Sequence, residues 1–319
     1  MTLRLTGGLM PYTVEPLSPT FTFGRIVRGL RSSDLEDPKV CQTLKRMWTQ
    51  YGLIVFRDSE VNDEFQVDLS LVFGELERHP VTEILVDSNP NLIRFTSAPD
   101  NANMIEVDGT IGGAWIGWHT DLIYHEHINH GGLLRALQIT SHGGATGFID
   151  QIDAYDRLPE ATKARIDSHN VVYQLGHIDR FPHAYDGRIR LVKMAPRNQE
   201  LMDRAPYDFP PVSHPLVFSQ PETGRKVLNL SPMFALFIEE MDDLEGAALL
   251  ADLSDHLVRS PAYHHTWTLG DMVLWDNWRM LHSVSLAPLN EVRAVQRTTI
   301  TGDYALGRTL PFEVLQRRS

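Results

Sequence analysis

Gly117-Trp118-His119-Thr120-Asp121-Leu122-Ile123-Tyr124 is the stretch on which the reading of this chain turns. Side chains alternate along a strand, so in an extended stretch His119 and Asp121, two residues apart, face the same way. An imidazole and a carboxylate on one face supply two ligands of a metal site. The chain offers a third much later, His282, in Leu274-Trp275-Asp276-Asn277-Trp278-Arg279-Met280-Leu281-His282-Ser283. Two imidazoles and one carboxylate on one side of an octahedron leave the opposite positions open. That arrangement suits non-haem Fe(II), which must bind a co-substrate and then O2. By itself the His-x-Asp pair reads equally as a hydrogen-bonded pair on a strand, because motifs this short arise by chance.

Composition narrows the setting. Of 319 residues, 42% are hydrophobic and 22% charged, an ordinary globular mixture with enough apolar side chains for a sizeable core. The length is enough for one large domain or two small ones, and a single domain over residues 1–319 is expected. The formal net charge of −12 argues against a nucleic-acid surface, which needs a basic face, and any anionic ligand then needs a local basic pocket. Cys41 is the one cysteine, so no intrachain disulfide forms, and its expected place is as a small buried side chain in a helix. There is no run of about 18 apolar residues and no apolar signal core at the start, so a cytoplasmic protein without membrane contact is expected. The expected assembly is a homo-oligomer, a dimer or tetramer.

Alternation in Phe21-Thr22-Phe23-Gly24-Arg25-Ile26-Val27 predicts a strand. Val40, Leu44, Met47 and Trp48 recur at helical spacing and predict a helix over 37–51, followed by a short buried strand at 52–56 and a second amphipathic helix over 63–73. Residues 97–113, rich in Asn, Asp and Gly, read as a loop, either plain surface or a lid. Further strands are expected at 133–140, 148–150, 266–269, 272–275 and 295–301, with a glycine turn at 143–147 and a hairpin over 215–230. Helices are expected at 154–167 and 240–259, and residues 180–215 read as an irregular insertion. Many short strands, with helices at the front and in an insertion, predict a mainly β protein with α decoration, a barrel or jelly roll.

Taken in order, these pieces resemble the taurine dioxygenase / dichlorophenoxyacetate dioxygenase (TauD/TfdA) family of Fe(II)- and 2-oxoglutarate-dependent oxygenases. The resemblance runs through Tyr51-Gly52-Leu53-Ile54-Val55-Phe56-Arg57-Asp58, Phe73-Gly74-Glu75-Leu76 and His79-Pro80-Val81. It continues through Trp118-His119-Thr120-Asp121, Gly143-Gly144-Ala145-Thr146, His214-Pro215-Leu216-Val217 and Trp275-Asp276-Asn277, and ends at Arg293, Arg297-Thr298-Thr299-Ile300 and Gly302-Asp303. It implies a double-stranded β-helix, or jelly roll, with N-terminal helices and an insertion. It also implies that His119, Asp121 and His282 hold the iron, that Thr146 and Arg293 bind the carboxylates of 2-oxoglutarate, and that Arg297 and His79 meet an anionic group of the prime substrate. With O2, such a centre releases succinate and CO2 and oxidises, most simply hydroxylates, a small organic molecule.

Against the taurine enzyme the pocket differs. Thr82 stands where a Tyr is found there, and Trp115 stands where an Asn is found. A larger or more apolar substrate follows, a carboxylate rather than a sulfonate. Arg suits either anion, because its planar fork gives two parallel hydrogen bonds to a carboxylate. Trp275 reads either as a neighbour of the iron or as core. His125 and His127 would share a face with Asp121 by alternation and, with His130, form a second metal cluster; the plainer reading is a polar strand end. Three other outcomes remain open: desaturation or rearrangement with the same cofactors, a metal-dependent hydrolase on the same ligands, and a barrel that only binds a small anion. The hydrolase leaves Arg293, Arg297 and Thr146 unexplained, and a binding module has no need of an open metal site.

Overall fold

The computed structural model describes residues 12–78, 85–86, 89–184 and 188–316, and they form a mainly β protein with fewer helices. The largest sheet has eight strands, in the order Thr13–Pro16, Arg25–Arg28, Leu53–Arg57, Met272–Asp276, Gly131–Gln138, Arg293–Ile300, Asn89–Ser97 and Leu85–Val86. A four-stranded sheet runs in the order Ala262–His265, Thr146–Asp150, Met280–Val284, Ile116–His119.

Period-2 alternation decides which face of the large sheet each residue takes. Leu53, Val55, Leu134, Val273, Trp275 and Val295 point to one side and join Phe148 and Met280 of the smaller sheet in a shared apolar cluster. Ile54, Phe56, Leu133, Leu274 and Ile300 point to the other side, where Val40, Leu44, Met47 and Trp48 of the helix Pro38–Tyr51 cover them. Both faces of these central strands are buried, so their sequences are nearly continuous apolar runs. Arg293 and Arg297 share their strand's register with Val295 and therefore face the smaller sheet. Between them, Gln296 reaches Gln66 (3.3 Å) of the helix Asp63–Leu71 on the opposite side, while Thr298 meets Ser70 (2.6 Å).

The helix ends follow from local chemistry. Asp37 accepts from the Lys39 amide (2.8 Å) with Pro38 in the first turn, and Gly52 closes that helix in the left-handed region at φ 71°. Cys41 lies in the same helix, half-buried rather than buried, with its thiol on the Leu35 carbonyl (3.2 Å). A third apolar cluster joins the helix Asp243–Val258 to a second four-stranded sheet, Ala235–Ile238, Asn170–Tyr173, Val212–Pro215 and Arg308–Thr309. Among the described residues no helix is long and apolar enough to cross a membrane.

Several expectations are corrected. Residues 97–113 contain the hairpin Met104–Val107/Thr110–Gly112, turned at Asp108-Gly109 with φ 49° and 79°. Asp-Gly between extended segments is a strong hairpin signal, because both turn residues need positive φ. Residues 180–215 are not irregular: Ile189–Lys193 pairs with that hairpin, and Pro196–Asp208 is helical despite Pro206. The helix expected at 154–167 is two, Gln151–Asp156 and Glu160–Ile166, separated around Pro159. The strand expected at 266–269 is instead Ala262–His265, and the one expected from Phe21 begins at Arg25, after Gly24 at φ 77°.

Candidate metal centre

The smaller sheet sets His119 and His282 directly opposite one another as Cα partners on adjacent antiparallel strands. Opposed side chains on one face are near neighbours, and the two imidazole centroids lie 4.1 Å apart. The strand bearing His119 ends at that residue. Asp121 stands in the following turn, where Leu122 takes φ 56°, so the carboxylate is aimed by a turn and not by the strand alternation expected of it. Its Oδ1 is 3.6 Å from Nε2 of both His119 and His282. Ligand atoms of all three residues fall within 4.8 Å of one another, close enough to share one ion.

The surroundings prepare these groups for ligation. A carbonyl can only accept, so the 2.8 Å contact between His119 Nδ1 and the Gly117 carbonyl places the proton on Nδ1 and leaves the Nε2 lone pair facing Asp121. Burial pushes His282 down to about 4, with His119 acting in the same direction, so its imidazole is neutral as a ligand must be. Burial alone would raise Asp121, but the charges around it, Arg297 foremost, hold the carboxyl well below its usual range. Arg297 Nη1 donates to Asp121 Oδ2 at 2.5 Å, leaving Oδ1 to the imidazoles. Arg297 was expected from the resemblance to meet an anionic group of the substrate. Here it pairs with an acid that belongs to the centre, and its guanidinium also lies 5.4 Å from the Phe95 ring centroid.

Arg293 is placed differently. It is 7% exposed, its Nε donates to the Gly144 carbonyl (3.0 Å), and its Nη2 has no partner among the described residues. Burial without a carboxylate pushes it down to about 10. Gly144 lies against it: at φ 64°, a Cβ there would stand 3.0 Å from Arg293 Cδ. A cleft of about 180 Å³ is lined by Gly143, Gly144, Trp267 and Arg293 among others. Thr146, two residues after Gly144, is buried and accepts from Trp267 Nε1 at 3.0 Å.

Trp115 precedes the His119 strand and packs, half-buried, against the apolar cluster of the second four-stranded sheet. Trp275 serves in both ways considered for it: it is core, and its ring centroid is 5.0 Å from that of His282. His79 and Thr82 lie outside the described residues. The second cluster does not form. Residues 121–127 are turns and bends, so alternation does not operate there; His130 stacks on Trp278 (3.8 Å), His125 meets Phe209 edge-on (5.6 Å), and His127 is exposed. Among the described residues, only His119, Asp121 and His282 form a group able to share a metal.

Some supporting residues had no role assigned from the sequence. Asn277, fully buried, clamps the ligand turn: its Oδ1 accepts from the Asp121 amide (2.9 Å) and its Nδ2 donates to the Asp121 carbonyl (3.0 Å). Ser231 accepts from the Thr120 amide (3.1 Å). Asn277 carried a signal, since it sits in the Trp275-Asp276-Asn277 motif; Ser231, Trp267 and Phe95 carried none.

A family model described as the taurine catabolism dioxygenase TauD, TfdA family matches residues 13–299. The (S)-phenoxypropionate/alpha-ketoglutarate-dioxygenase of Sphingobium herbicidovorans is 32% identical over 92% of this chain and 96% of its own length. The alpha-ketoglutarate-dependent 2,4-dichlorophenoxyacetate dioxygenase of Cupriavidus pinatubonensis is 26% identical over 92% of this chain and 99% of its own. Among solved structures, AAD-2 in complex with Mn(II) and N-oxalylglycine superposes with a TM-score of 0.68 at 26% identity, covering 93% of this chain and all of that one. With such matches along nearly its whole length, this chain is an Fe(II)- and 2-oxoglutarate-dependent dioxygenase and belongs to the taurine catabolism dioxygenase TauD, TfdA family.

Proposed function

We propose that His119, Asp121 and His282 hold the Fe(II), that Arg293 and Thr146 hold 2-oxoglutarate, and that Arg297 receives the anionic end of the substrate, with Trp115 against its apolar body. In this reading the facing sheets are the halves of one double-stranded β-helix, a single domain with the second four-stranded sheet and its helices as an insertion. The observation that carries it is the Arg293 guanidinium, buried with one nitrogen unpartnered among the described residues, on a strand face turned toward the sheet that bears His119 and His282. A buried, unpaired cation is costly unless an anion arrives to meet it. A metal-dependent hydrolase on the same three ligands would leave that cation without a use.

When bound, the iron couples reduction of O2 to the oxidative decarboxylation of 2-oxoglutarate to succinate and CO2 and to hydroxylation of the substrate. The chain's own part is to hold and orient. Gly117 keeps the His119 Nε2 lone pair free, Asn277 fixes the turn that aims Asp121, and Arg297 takes one carboxylate oxygen so that the other faces the imidazoles. Arg297 and Phe95 form a cationic and aromatic wall. The relatives are named for phenoxypropionate and 2,4-dichlorophenoxyacetate, and this wall suits the same chemistry, a small aryl or alkyl carboxylate.

Succinate formation with Fe(II), 2-oxoglutarate and ascorbate, measured against aryloxyalkanoates, alkyl carboxylates, sulfonates and alkyl sulfates, tests the reading. Carboxylates should stimulate it most, and chelation of iron should abolish it. Arg297→Ala should cost an acid far more kcat/KM than its neutral amide. Equal turnover of acid and amide by the unaltered enzyme would remove Arg297 from substrate recognition.

A further inference from the structure

Trp267 touches Thr146 through a bond whose direction is not in doubt. An indole N–H donates and cannot accept, so at 3.0 Å from Trp267 Nε1 the Thr146 hydroxyl oxygen is the acceptor. One lone pair of that oxygen is then occupied, and its single proton must go elsewhere. Among the described residues no acceptor takes it. The hydroxyl is itself buried, so a proton left without an acceptor would be an unmet donor in a site of low dielectric. Thr is also stiff about χ1, which leaves the hydroxyl rotation as its main freedom, and the indole contact restricts that.

Trp267 is held in turn. It is 8% exposed, and its ring meets His265 edge to face at 4.4 Å. His265 is the Cα partner of Thr146 on the neighbouring strand and is fully buried. Its Nδ1 contacts the Tyr263 hydroxyl (3.0 Å) and its Nε2 lies 3.3 Å from Asp271 Oδ2. The indole therefore stands on a braced support and lines the same cleft as Arg293.

We infer that Trp267 is a positioning residue for the co-substrate: its indole N–H occupies the Thr146 oxygen and turns the Thr146 proton toward the carboxylate that Arg293 receives. This rests on the proposed seat for 2-oxoglutarate and deepens it, because the hydroxyl then acts as a pre-aimed donor beside the cation. Donation from the indole also polarises the hydroxyl and strengthens the bond it gives.

The test is calorimetric binding of 2-oxoglutarate to the Mn(II)-loaded protein, which needs no turnover. Thr146→Val should weaken binding about tenfold, and Trp267→Phe about threefold to fivefold. Combined, the two should be no worse than Thr146→Val alone, since the indole acts only through the hydroxyl. Thr146→Ser keeps the hydroxyl and should keep both the affinity and its sensitivity to Trp267→Phe, which guards against reading lost packing as lost aim. Mn(II) affinity without co-substrate should not change in any of these variants. The inference is overturned if Trp267→Phe costs as much in the Thr146→Val background as in the parent, or if Thr146→Val binds normally. Arg293→Met separates this from the reading beneath it. If that variant binds 2-oxoglutarate normally, the seat itself is wrong; if it binds far more weakly while the Trp267 effect ignores Thr146, only the role given to Trp267 fails.

Discussion

Arg279 and Arg293 are both buried arginines, and their surroundings differ in kind. Arg279, in the turn before the strand Met280–Val284, forms a two-bond pair with Asp150 (2.9 and 2.7 Å) and also donates to the Thr49 and Gln50 carbonyls (3.3 and 3.0 Å). Burial acts to lower it, but Asp150 and Asp276 more than offset this and it is held above its ordinary value. Arg293 has one carbonyl and, among the described residues, no acid, and burial pushes it down to about 10. The first arginine is complete in the folded chain and ties segments together. The second has no anionic partner among the described residues, which is why it is proposed to receive a carboxylate. A buried cation left unsatisfied by its own fold is a candidate place for a ligand to complete the structure.

The largest effect should come from emptying the incomplete region altogether. His119→Ala or His282→Ala should abolish turnover and Mn(II) binding, with the metal-free unfolding midpoint within about 4 °C of the parent. A variant that kept full activity would remove that residue from the centre. The complete region should behave in the opposite way. Arg279→Met leaves Asp150 buried and unpaired, and should cost about 3–5 kcal/mol in urea unfolding; a loss well under 1 kcal/mol would mean that the pair does little for stability.

Arg293→Ala should raise the 2-oxoglutarate KM more than tenfold, since loss of a buried charge pair costs on the order of 2–5 kcal/mol. The same change should cost the ligand-free protein far less stability than Arg279→Met, because it removes one bond to the Gly144 carbonyl and strands no buried acid among the described residues. An unchanged KM would pass the role to another arginine. The comparison is sharpened by a smaller, pH-dependent effect on the complete side. Asp276, 1% exposed, accepts from the Trp278 amide (3.0 Å) and Gln220 Nε2 (3.0 Å) and has His130 at 3.9 Å. Burial raises it to about 7, Arg279 opposes, and Glu222 and Asp150 add to the rise. A carboxyl raised on folding binds its proton more tightly in the native state, so its contribution is full at pH below about 4 and is lost as pH rises through about 7. Unfolding free energy should therefore fall by about 1–3 kcal/mol between pH 5 and pH 8, and Asp276→Asn should flatten that slope. A slope unchanged in the variant would assign it to other groups.

Much of the scaffold was legible because its signals are local. The spacing of Val40, Leu44, Met47 and Trp48, with Asp37 and Pro38 before them and Gly52 after, is enough to specify the helix Pro38–Tyr51. The continuous apolar runs at Leu53–Arg57 and Met272–Asp276 announce strands covered on both faces. Asp108-Gly109 holds a local hairpin signal inside a stretch otherwise composed like a loop, and in the helix Pro196–Asp208, which runs through Pro206, tertiary contact overrides local preference.

For the site, the sequence by itself determined which groups are available: two imidazoles and a carboxylate in a recognisable order, and two arginines sharing one strand face. Only the tertiary structure decided how they meet. That His119 is opposed to His282 is a matter of strand register between residues 163 positions apart in the chain. Asp121 is aimed by a turn that Asn277 clamps from far along the chain, Arg297 lies on Asp121 and not on a free acid, and Trp267 reaches the Thr146 hydroxyl. Local periodicity assigns a side chain to a face, but direction and distance inside a site come from register and from hydrogen bonds between distant segments, which no window of sequence contains.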